Sequence, residues 1–225
     1  MFGSRHNLTM LLSLVAFMSM TPKTLVLVPK ETIWVYENAS SPADGTFLRA
    51  WGVEGKSCPA EGEDAGAFSY SYLKWDFTDL PKTKLLSAKL EFSNIPDPGF
   101  TLDIAKKSPL EAREIVGDFS AKTWAFEMAA KVRPASGKNS VYGTGYPKSI
   151  TPGAPVAISI DLLAGPNLFA KALAQAAGSP SHQFSLSITS ALDPSVEGRS
   201  CVYKVYGQKE SKEYLRPRLV LTFEE

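Results

Sequence analysis

Residues 70–77 alternate between Tyr, Lys or Asp side chains and mostly apolar ones, and Thr-Asp-Leu-Pro follows at 78–81. Successive side chains of an extended strand point to opposite faces of a sheet. Leu73, Trp75 and Phe77 therefore share one face, which we assign to the core. The opposite face carries two phenol rings, a cation and an anion, at Tyr70, Tyr72, Lys74 and Asp76. We predict that this second face is turned to solvent or to a ligand.

Rings and cations on an outward sheet face have the chemistry to bind an anionic sugar polymer. An aromatic side chain offers the C–H face of a sugar an apolar platform with a polar tip. Lysine and arginine pair with uronate carboxylates, and arginine does so through two parallel hydrogen bonds. The alternation places seven such residues outward, and we predict that they line a ligand-binding surface: Arg49, Trp51, Tyr70, Tyr72, Lys74, Lys204 and Tyr206. An ordinary structural surface is the alternative for each of them, and Tyr203 is predicted to face the core.

Catalytic chemistry has less support in the sequence. The carboxylates of Glu61, Glu63 and Asp64 lie in a loop that has no neighbouring His or Tyr base. A polysaccharide lyase needs a base within reach of the sugar C5 proton. Tyr72 and Lys74 could imitate such a pair, although on a single strand face. We predict a protein without catalytic residues, with a small polysaccharide lyase as one alternative.

Metal binding is not specified by any motif. The acidic loop is either a solvated loop or a weak Ca²⁺ site built from oxygen ligands. The chain has two histidines, His6 and His182, and no Cys-x-x-Cys pair or Cys/His cluster. This pattern argues against zinc. A structural Ca²⁺ stays open, and the sequence does not name its ligands.

The N-terminal region has the pattern of a secretion signal. Arg5 and His6 precede an apolar run at residues 8–20, and no acidic residue occurs before Glu31. The run is short for a membrane span, which takes about 20 apolar residues. We assign residues 1–30 to a signal peptide and N-terminal segment, with an uncleaved anchor or a buried first strand as the alternatives. The mature protein is then secreted, on the cell surface or in the periplasm, without stable membrane insertion.

The chain has two cysteines, Cys58 and Cys201. Export would permit a disulfide between them. Such a bond would close a long loop and contribute up to about 4–5 kcal/mol in the chain-entropy model. We predict this disulfide, with two unrelated buried thiols as the alternative.

Length, charge and composition narrow the class of protein. The 225 residues suffice for one large β domain or two small ones, and the formal net charge of +1 gives no electrostatic case for binding nucleic acid. Sixteen glycines and sixteen prolines indicate many turns.

Period-two segments separated by turn signals dominate the rest of the chain. They lie at residues 32–36, 47–53, 70–77, 86–92, 101–105, 156–161, 184–188, 202–206 and 219–223. One helix is predicted over residues 167–177, ended by Gly178 and Pro180. Residues 107–150 are the least periodic. The pattern predicts an all-β fold, a jelly-roll-like β-sandwich with one short helix, as a single domain over residues 31–225.

Several of these segments occur in the order of a known family. The characteristic pieces are Leu-Lys-Trp-Asp-Phe-Thr-Asp-Leu-Pro at 73–81, Leu-Ser-Ala-Lys-Leu-Glu-Phe at 86–92, Ile-Ser-Ile-Asp at 158–161, Gly-Gln-Lys-Glu at 207–210 and Arg-Pro-Arg-Leu-Val-Leu-Thr at 216–222. In this order they resemble the DNRLRE (disaggregatase-related) domain, which is grouped with carbohydrate-binding module family 96. The resemblance extends over residues 31–224.

The resemblance implies a non-catalytic module that binds an acidic polysaccharide such as alginate. A structural Ca²⁺ is common in jelly-roll sugar binders and is therefore compatible with it. The chain departs from the family where a Trp-rich middle segment is usual, with Phe119 and Trp124 there, and where Asn-Tyr-Gly is usual, with His182 and Gln183 there. A structural or adhesive cell-surface β-sandwich is the other alternative.

Overall fold

The computed structural model describes residues 21–36, 46–52, 68–125, 127–128, 131–198 and 200–225. Its strands are β1 (Lys23–Leu27), β2 (Glu31–Tyr36), β3 (Phe47–Ala50), β4 (Ser69–Asp76), β5 (Leu85–Asn94), β6 (Leu110–Arg113), β7 (Ile115–Val116), β8 (Arg133–Pro134), β9 (Val141–Gly145), β10 (Val156–Asp161), β11 (Gln183–Ser190), β12 (Tyr203–Tyr206) and β13 (Arg218–Phe223). Its helices are α1 (Leu102–Lys107), α2 (Phe169–Gly178) and the single turn α3 (Pro194–Glu197), and 3₁₀ turns occur at Lys138–Ser140 and Glu213–Leu215.

Two antiparallel sheets make up the body of the fold. Sheet A has the order β1-β13-β5-β12-β3, and β10 pairs with β5 as well. Sheet B has the order β2-β4-β11-β6-β9, while β7 and β8 form a separate two-stranded ribbon. The predicted all-β sandwich is therefore confirmed. Since β1 pairs along β13, the sandwich includes residues that precede the expected domain start at residue 31.

The main core lies between the two sheets. Leu73, Trp75 and Phe77 are at most 1% exposed, which confirms the inward face of β4. Trp75 pairs in register with Phe184 of β11, and Leu90 of β5 contributes from sheet A. Alternating apolar residues on both sheets thus form one shared interior, as period two requires.

The sandwich is closed along both margins. At one margin Trp51 and Ser69 exchange backbone hydrogen bonds of 3.2 and 2.9 Å, which join β3 to β4. At the other margin β9 packs against β10, and a Cβ added at Gly143 would overlap the carbonyl oxygen of Asp161. A bare glycine backbone is needed for this close approach.

A second, smaller core covers the outer face of sheet B. It combines residues of β2 and β4 with side chains from the segment that follows β7, and its members are Ile33, Val35, Phe68, Tyr70, Tyr72, Phe119, Trp124 and Val132. Phe119, Trp124 and Val132 come from the least periodic part of the sequence, and they pack over the outer face of sheet B. We call the segment from residue 118 to residue 132, as far as the structure describes it, the cover of sheet B.

The sequence predicted one helix, whereas the described residues contain α1 and the single turn α3 besides α2. The helix expected over residues 167–177 is confirmed as α2. The strand expected at residues 101–105 is wrong, because α1 begins there. The Thr101 hydroxyl accepts a 3.3 Å hydrogen bond from the backbone N–H of Ile104, which caps this helix.

Candidate functional site

Three of the four side chains on the outward face predicted for β4 are buried, and the fourth, Asp76, is exposed. Tyr70 and Tyr72 are each 1% exposed, and Lys74 is 2% exposed. Phe119 and Trp124 lie over Tyr72, with ring centroids 5.7 Å from its ring in both cases. The prediction that these three side chains face solvent or a ligand is wrong, because residues distant in sequence cover them.

Lys74 is held by the covering segment. Its Nζ donates to the carbonyl oxygen of Phe119, lies 2.8 Å from Oδ1 of Asp118 and sits 4.7 Å from the Phe119 ring centroid. The Tyr72 hydroxyl donates to the carbonyl oxygen of Val132 at 3.2 Å. Tyr72 and Lys74 therefore hold the segment around Phe119 and Val132 against β4. Because both side chains are buried, neither is placed to act as a base on a sugar.

The other four predicted residues lie together on β3, β12 and the residue after β3. Arg49 and Lys204 are direct partners in register, and both are half-buried. The Arg49 guanidinium lies over the ring of Trp34 on β2, 4.8 Å from its centroid, and its Nε is buried. Lys204 Nζ lies 4.3 Å from the ring centroid of Phe47, whose ring is 5.6 Å from that of Tyr206. Trp51 is also half-buried and packs partly against the main core. We call Phe47, Arg49, Trp51, Lys204 and Tyr206 the β3–β12 surface.

An open groove of about 480 Å³ crosses the outer side of β5 and β10. Its floor is built from small or polar side chains, including Ser93, Ala157 and Ser159. Tyr146 and Tyr214 line it and are 41% and 65% exposed. The remaining polar lining residues are Glu91, Lys148, Ser149, Thr151, Arg216 and Arg218. We call this site the sheet A groove.

Positive charge dominates the sheet A groove. Among its lining residues Lys148, Arg216 and Arg218 are cations and Glu91 is a carboxylate. Glu91 Oε2 lies 2.8 Å from Nη2 of Arg218, and Glu213 Oε1 lies 3.5 Å from Nη1 of Arg216, so two of the three cations already have a carboxylate partner. Arg216 Nε donates to the carbonyl oxygen of Glu210 at 2.6 Å, which orients its guanidinium. The groove therefore keeps an excess of positive charge for an anionic ligand.

The turn that carries Tyr214 is fixed by local hydrogen bonds. The backbone N–H of Lys212 and the hydroxyl of Ser211 both donate to Oε1 of Glu210 at 3.0 Å. These two bonds, led by that of Lys212, lower the pKa of Glu210 from its ordinary value. The short 3₁₀ turn at Glu213–Leu215 follows and places the Tyr214 ring in solvent.

The β3–β12 surface and the sheet A groove share one side of sheet A. Strand β12 pairs with β3 on one edge and meets β5 at Val205 and Asn94 on the other. The backbone N–H of Lys204 donates to Oδ1 of Asn94 at 2.8 Å, and the N–H of Ile95 donates to the carbonyl oxygen of Lys204 at 2.9 Å. The β3–β12 surface therefore adjoins the strand β5 that forms part of the floor of the sheet A groove.

Four of the groove residues that sequence reasoning missed lie outside regular strands, whereas Arg218 begins β13. Tyr146 and Lys148 follow β9, whereas Tyr214 and Arg216 lie between β12 and β13. Alternation gives no direction for side chains in loops. The available signal was compositional, namely a Gly/Tyr/Pro loop at residues 142–147 and a charged loop before β13.

Cys201 is buried, and its Sγ donates to the carbonyl oxygen of Gly99 at 2.6 Å. Burial, followed by the nearby charge of Glu197, raises the pKa of this thiol. Cys58 lies outside the described residues, so the disulfide with Cys201 stays a prediction. The acidic loop with Glu61, Glu63 and Asp64 lies outside them as well.

Neither a metal centre nor a membrane span is found in the described ranges. No group of three or more His, Cys, Asp or Glu side chains lies close enough there to hold an ion. None of the helices described has the length and the apolar character that crossing a bilayer requires. The suggested Ca²⁺ stays untested.

No protein-family model matches the sequence, and no curated protein is significantly similar to it. The likeness to the DNRLRE domain therefore stays a prediction from motifs.

Proposed function

We propose that this protein is a non-catalytic carbohydrate-binding module that holds an acidic polysaccharide, such as alginate, against the outer face of sheet A. The observation that carries the proposal is the sheet A groove, where two exposed tyrosines and three cations line one open cleft. This location replaces the covered face of β4, while the ligand chemistry inferred from the sequence is unchanged.

The shape of the groove suits a chain molecule. Its floor consists of strand residues with short side chains, so a ligand can approach the sheet closely. Tyr146 and Tyr214 belong to different loops and supply aromatic surfaces for the C–H faces of sugar rings. An open cleft fits the interior of a polymer, whereas a small-molecule site would enclose most of its ligand.

The charges favour uronates over neutral sugars. Lys148 and the guanidinium of Arg216 supply donors to carboxylates, and Arg218 adds a third cation. Glu213 partly neutralises Arg216, and Glu91 partly neutralises Arg218. The half-buried Lys204 adds a further cation on β12, whereas the Arg49 guanidinium lies over the Trp34 ring. We include export in the proposal, because a protein that binds an extracellular polysaccharide must itself be outside the cytoplasm.

Affinity electrophoresis in gels that contain alginate, polygalacturonate or a neutral glucan tests this proposal. We expect retardation by the acidic polymers. Tyr146→Ala and Tyr214→Ala should each weaken binding about two- to tenfold, the range for loss of one aromatic contact. Lys148→Ala should weaken binding to acidic polymers alone, and the effect should shrink as salt is added.

Lys122→Ala is the matched control, because Lys122 is an exposed cation on the cover of sheet B. This change should leave binding intact. A protein retarded by none of the polymers would contradict the proposal and favour the structural or adhesive alternative. Loss of binding in Lys204→Ala together with normal binding in Tyr214→Ala would move the site to the β3–β12 surface.

A further inference from the structure

A second cavity lies at the start of β5, whereas the sheet A groove includes Ser93 near the end of this strand. Its lining is mainly apolar. It has a volume of about 690 Å³ and opens between α2 and the turn that joins β4 to β5. Apolar side chains from both sheets and the helix form its walls, including Phe77, Leu80, Leu85, Leu173 and Phe223. None of these residues belongs to the sheet A groove.

The sequence of α2 keeps this cavity open. Ala170, Ala174 and Ala177 lie on the helix face that lines it, and Gly178 ends the helix there. Among the α2 residues that line the cavity, Leu173 alone has a large side chain. Larger residues at the three alanine positions would fill the space between the helix and the β4–β5 turn, so the cavity depends on small side chains.

Several polar groups that line the cavity have partners within the protein. Thr78 Oγ1 donates to Oδ1 of Asp76 at 2.5 Å, and Thr83 Oγ1 donates to the carbonyl oxygen of Glu224. His182 has a left-handed backbone with φ of 50°, and its Nδ1 lies 2.7 Å from the carbonyl oxygen of Ala177. Within the part of the chain that the structure describes, the Lys82 ammonium has neither a hydrogen-bond nor an ion-pair partner.

Charge complementarity therefore points to an anion at the mouth of an apolar cavity. Lys82 is exposed and lines the opening, and no carboxylate occurs among the lining residues. The neighbouring cation Lys84 is paired with Glu224 at 3.2 Å and does not line the cavity. A ligand with an apolar tail and a single carboxylate head matches both features.

We propose that this cavity is a binding site for a free fatty acid, with the alkyl chain between α2 and the β4–β5 turn and the carboxylate at Lys82. Burial of the chain against Phe77, Leu173 and Phe223 supplies most of the affinity, at about 0.8 kcal/mol for each methylene removed from water. The pair with Lys82 selects the head group, and its contribution is small because the lysine is exposed.

Isothermal titration of the full chain with dodecanoate, below its micelle concentration, tests the site. We expect saturable binding of one dodecanoate per chain. Ala174→Trp should abolish it by filling the cavity from an exposed helix position. Gln175→Trp is the matched control, because Gln175 is exposed on the same helix and does not line the cavity, and it should bind normally.

The head group is tested by comparing dodecanoate with dodecanol. Lys82→Ala should weaken dodecanoate binding about two- to fivefold, as expected for a solvent-exposed ion pair, and should leave dodecanol unchanged. Thermal unfolding of each variant shows whether it is folded. Absence of saturable dodecanoate binding would overturn the proposal, as would binding that Ala174→Trp leaves intact. Equal affinity for the alcohol and the acid, or binding to phosphatidylglycerol vesicles without binding to dodecanoate, would also overturn it.

Discussion

Lys74 shows how a residue with a binding chemistry can serve the fold. Its side chain is 3% exposed, and its ammonium is bound by Phe119 and Asp118 from the cover of sheet B. A buried cation is stable only where it is paired and hydrogen-bonded. Lys74 therefore fixes the position of the cover over β4, and its sequence signature is identical to that of an exposed sheet lysine.

Lys74→Ala should lower the free energy of unfolding by about 2–3 kcal/mol, because it removes a buried hydrogen-bonded cation and the packing of its stem. Asp118→Asn should cost less than about 1 kcal/mol, since Asp118 is 74% exposed. Urea titrations of both variants measure these changes. A Lys74→Ala protein as stable as the parent would contradict the role given to this side chain.

For β4, the sequence predicted correctly which side chains share a face of the strand. It did not predict that the second face is covered by other residues of the protein. Alternation placed Leu73, Trp75 and Phe77 in the core, and this is confirmed. It also placed Tyr72 and Lys74 on the opposite face correctly. Whether that face meets water depends on residues some 45 to 60 positions away in sequence, at Phe119 and Val132. No local pattern contains this information.

At the scale of elements, the close approach of β9 to β10 sets the width of the sandwich at one margin. Gly143 and Gly145 face carbonyl oxygens of β10 without intervening side chains. The backbone N–H groups of Gly165 and Asn167 then donate to the carbonyl oxygens of Tyr142 and Val141 at 2.8 and 3.0 Å, which guides the chain into α2. This margin therefore positions α2, one wall of the second cavity.

Gly143→Ala should reduce stability by about 1–3 kcal/mol, because the added methyl group overlaps the backbone of Asp161 and β10 must shift. Gly178→Ala is the control, since no atom lies within 4 Å of the added Cβ. It should leave stability unchanged or raise it by up to about 1 kcal/mol. Thermal melts compare the two, and a neutral Gly143→Ala would show that β10 can move freely.

Elements were predictable where their signal was periodic. Strand β10 at Val156–Asp161 was predicted from the alternation of its side chains. Helix α2 was predicted from the helical spacing of its apolar residues and from Gly178 and Pro180 at its end. Helix α1 was missed because six residues are too few for a helical period to outweigh an apparent alternation, and its Thr101 cap was not used. The groove tyrosines were missed for a related reason, as they lie in loops.

On the scale of the whole molecule, two cores share sheet B, and both contain buried phenols. The Tyr203 hydroxyl donates to the carbonyl oxygen of Ser108 at 3.0 Å in the main core. Burial raises the pKa of Tyr203, and burial together with the charge of Glu114 raises that of Tyr142. Both groups bind their protons more tightly in the folded chain than in the unfolded chain.

The protein should therefore lose stability in alkaline solution. The contribution of these phenols is complete below the unfolded pKa of about 10 and declines as the pH rises above it, because the unfolded chain then releases protons that the folded chain retains. Urea midpoints at about pH 8 and about pH 10.5 measure the decline. Tyr203→Phe should reduce it, whereas Tyr214→Phe, at a ring that is 65% exposed, should not. Equal declines in the parent and in Tyr203→Phe would contradict this assignment.

The hydrogen-bonded bridge between Trp51 and Ser69 has a practical consequence. It holds the described residues on either side of positions 53–67 next to each other, and the entropic cost of joining two fixed ends rises slowly with the number of residues between them. Changes in the number of residues between Trp51 and Ser69 should therefore leave the pairing of β3 and β4 intact. The margin of the sandwich is thus a natural place to vary the chain by engineering.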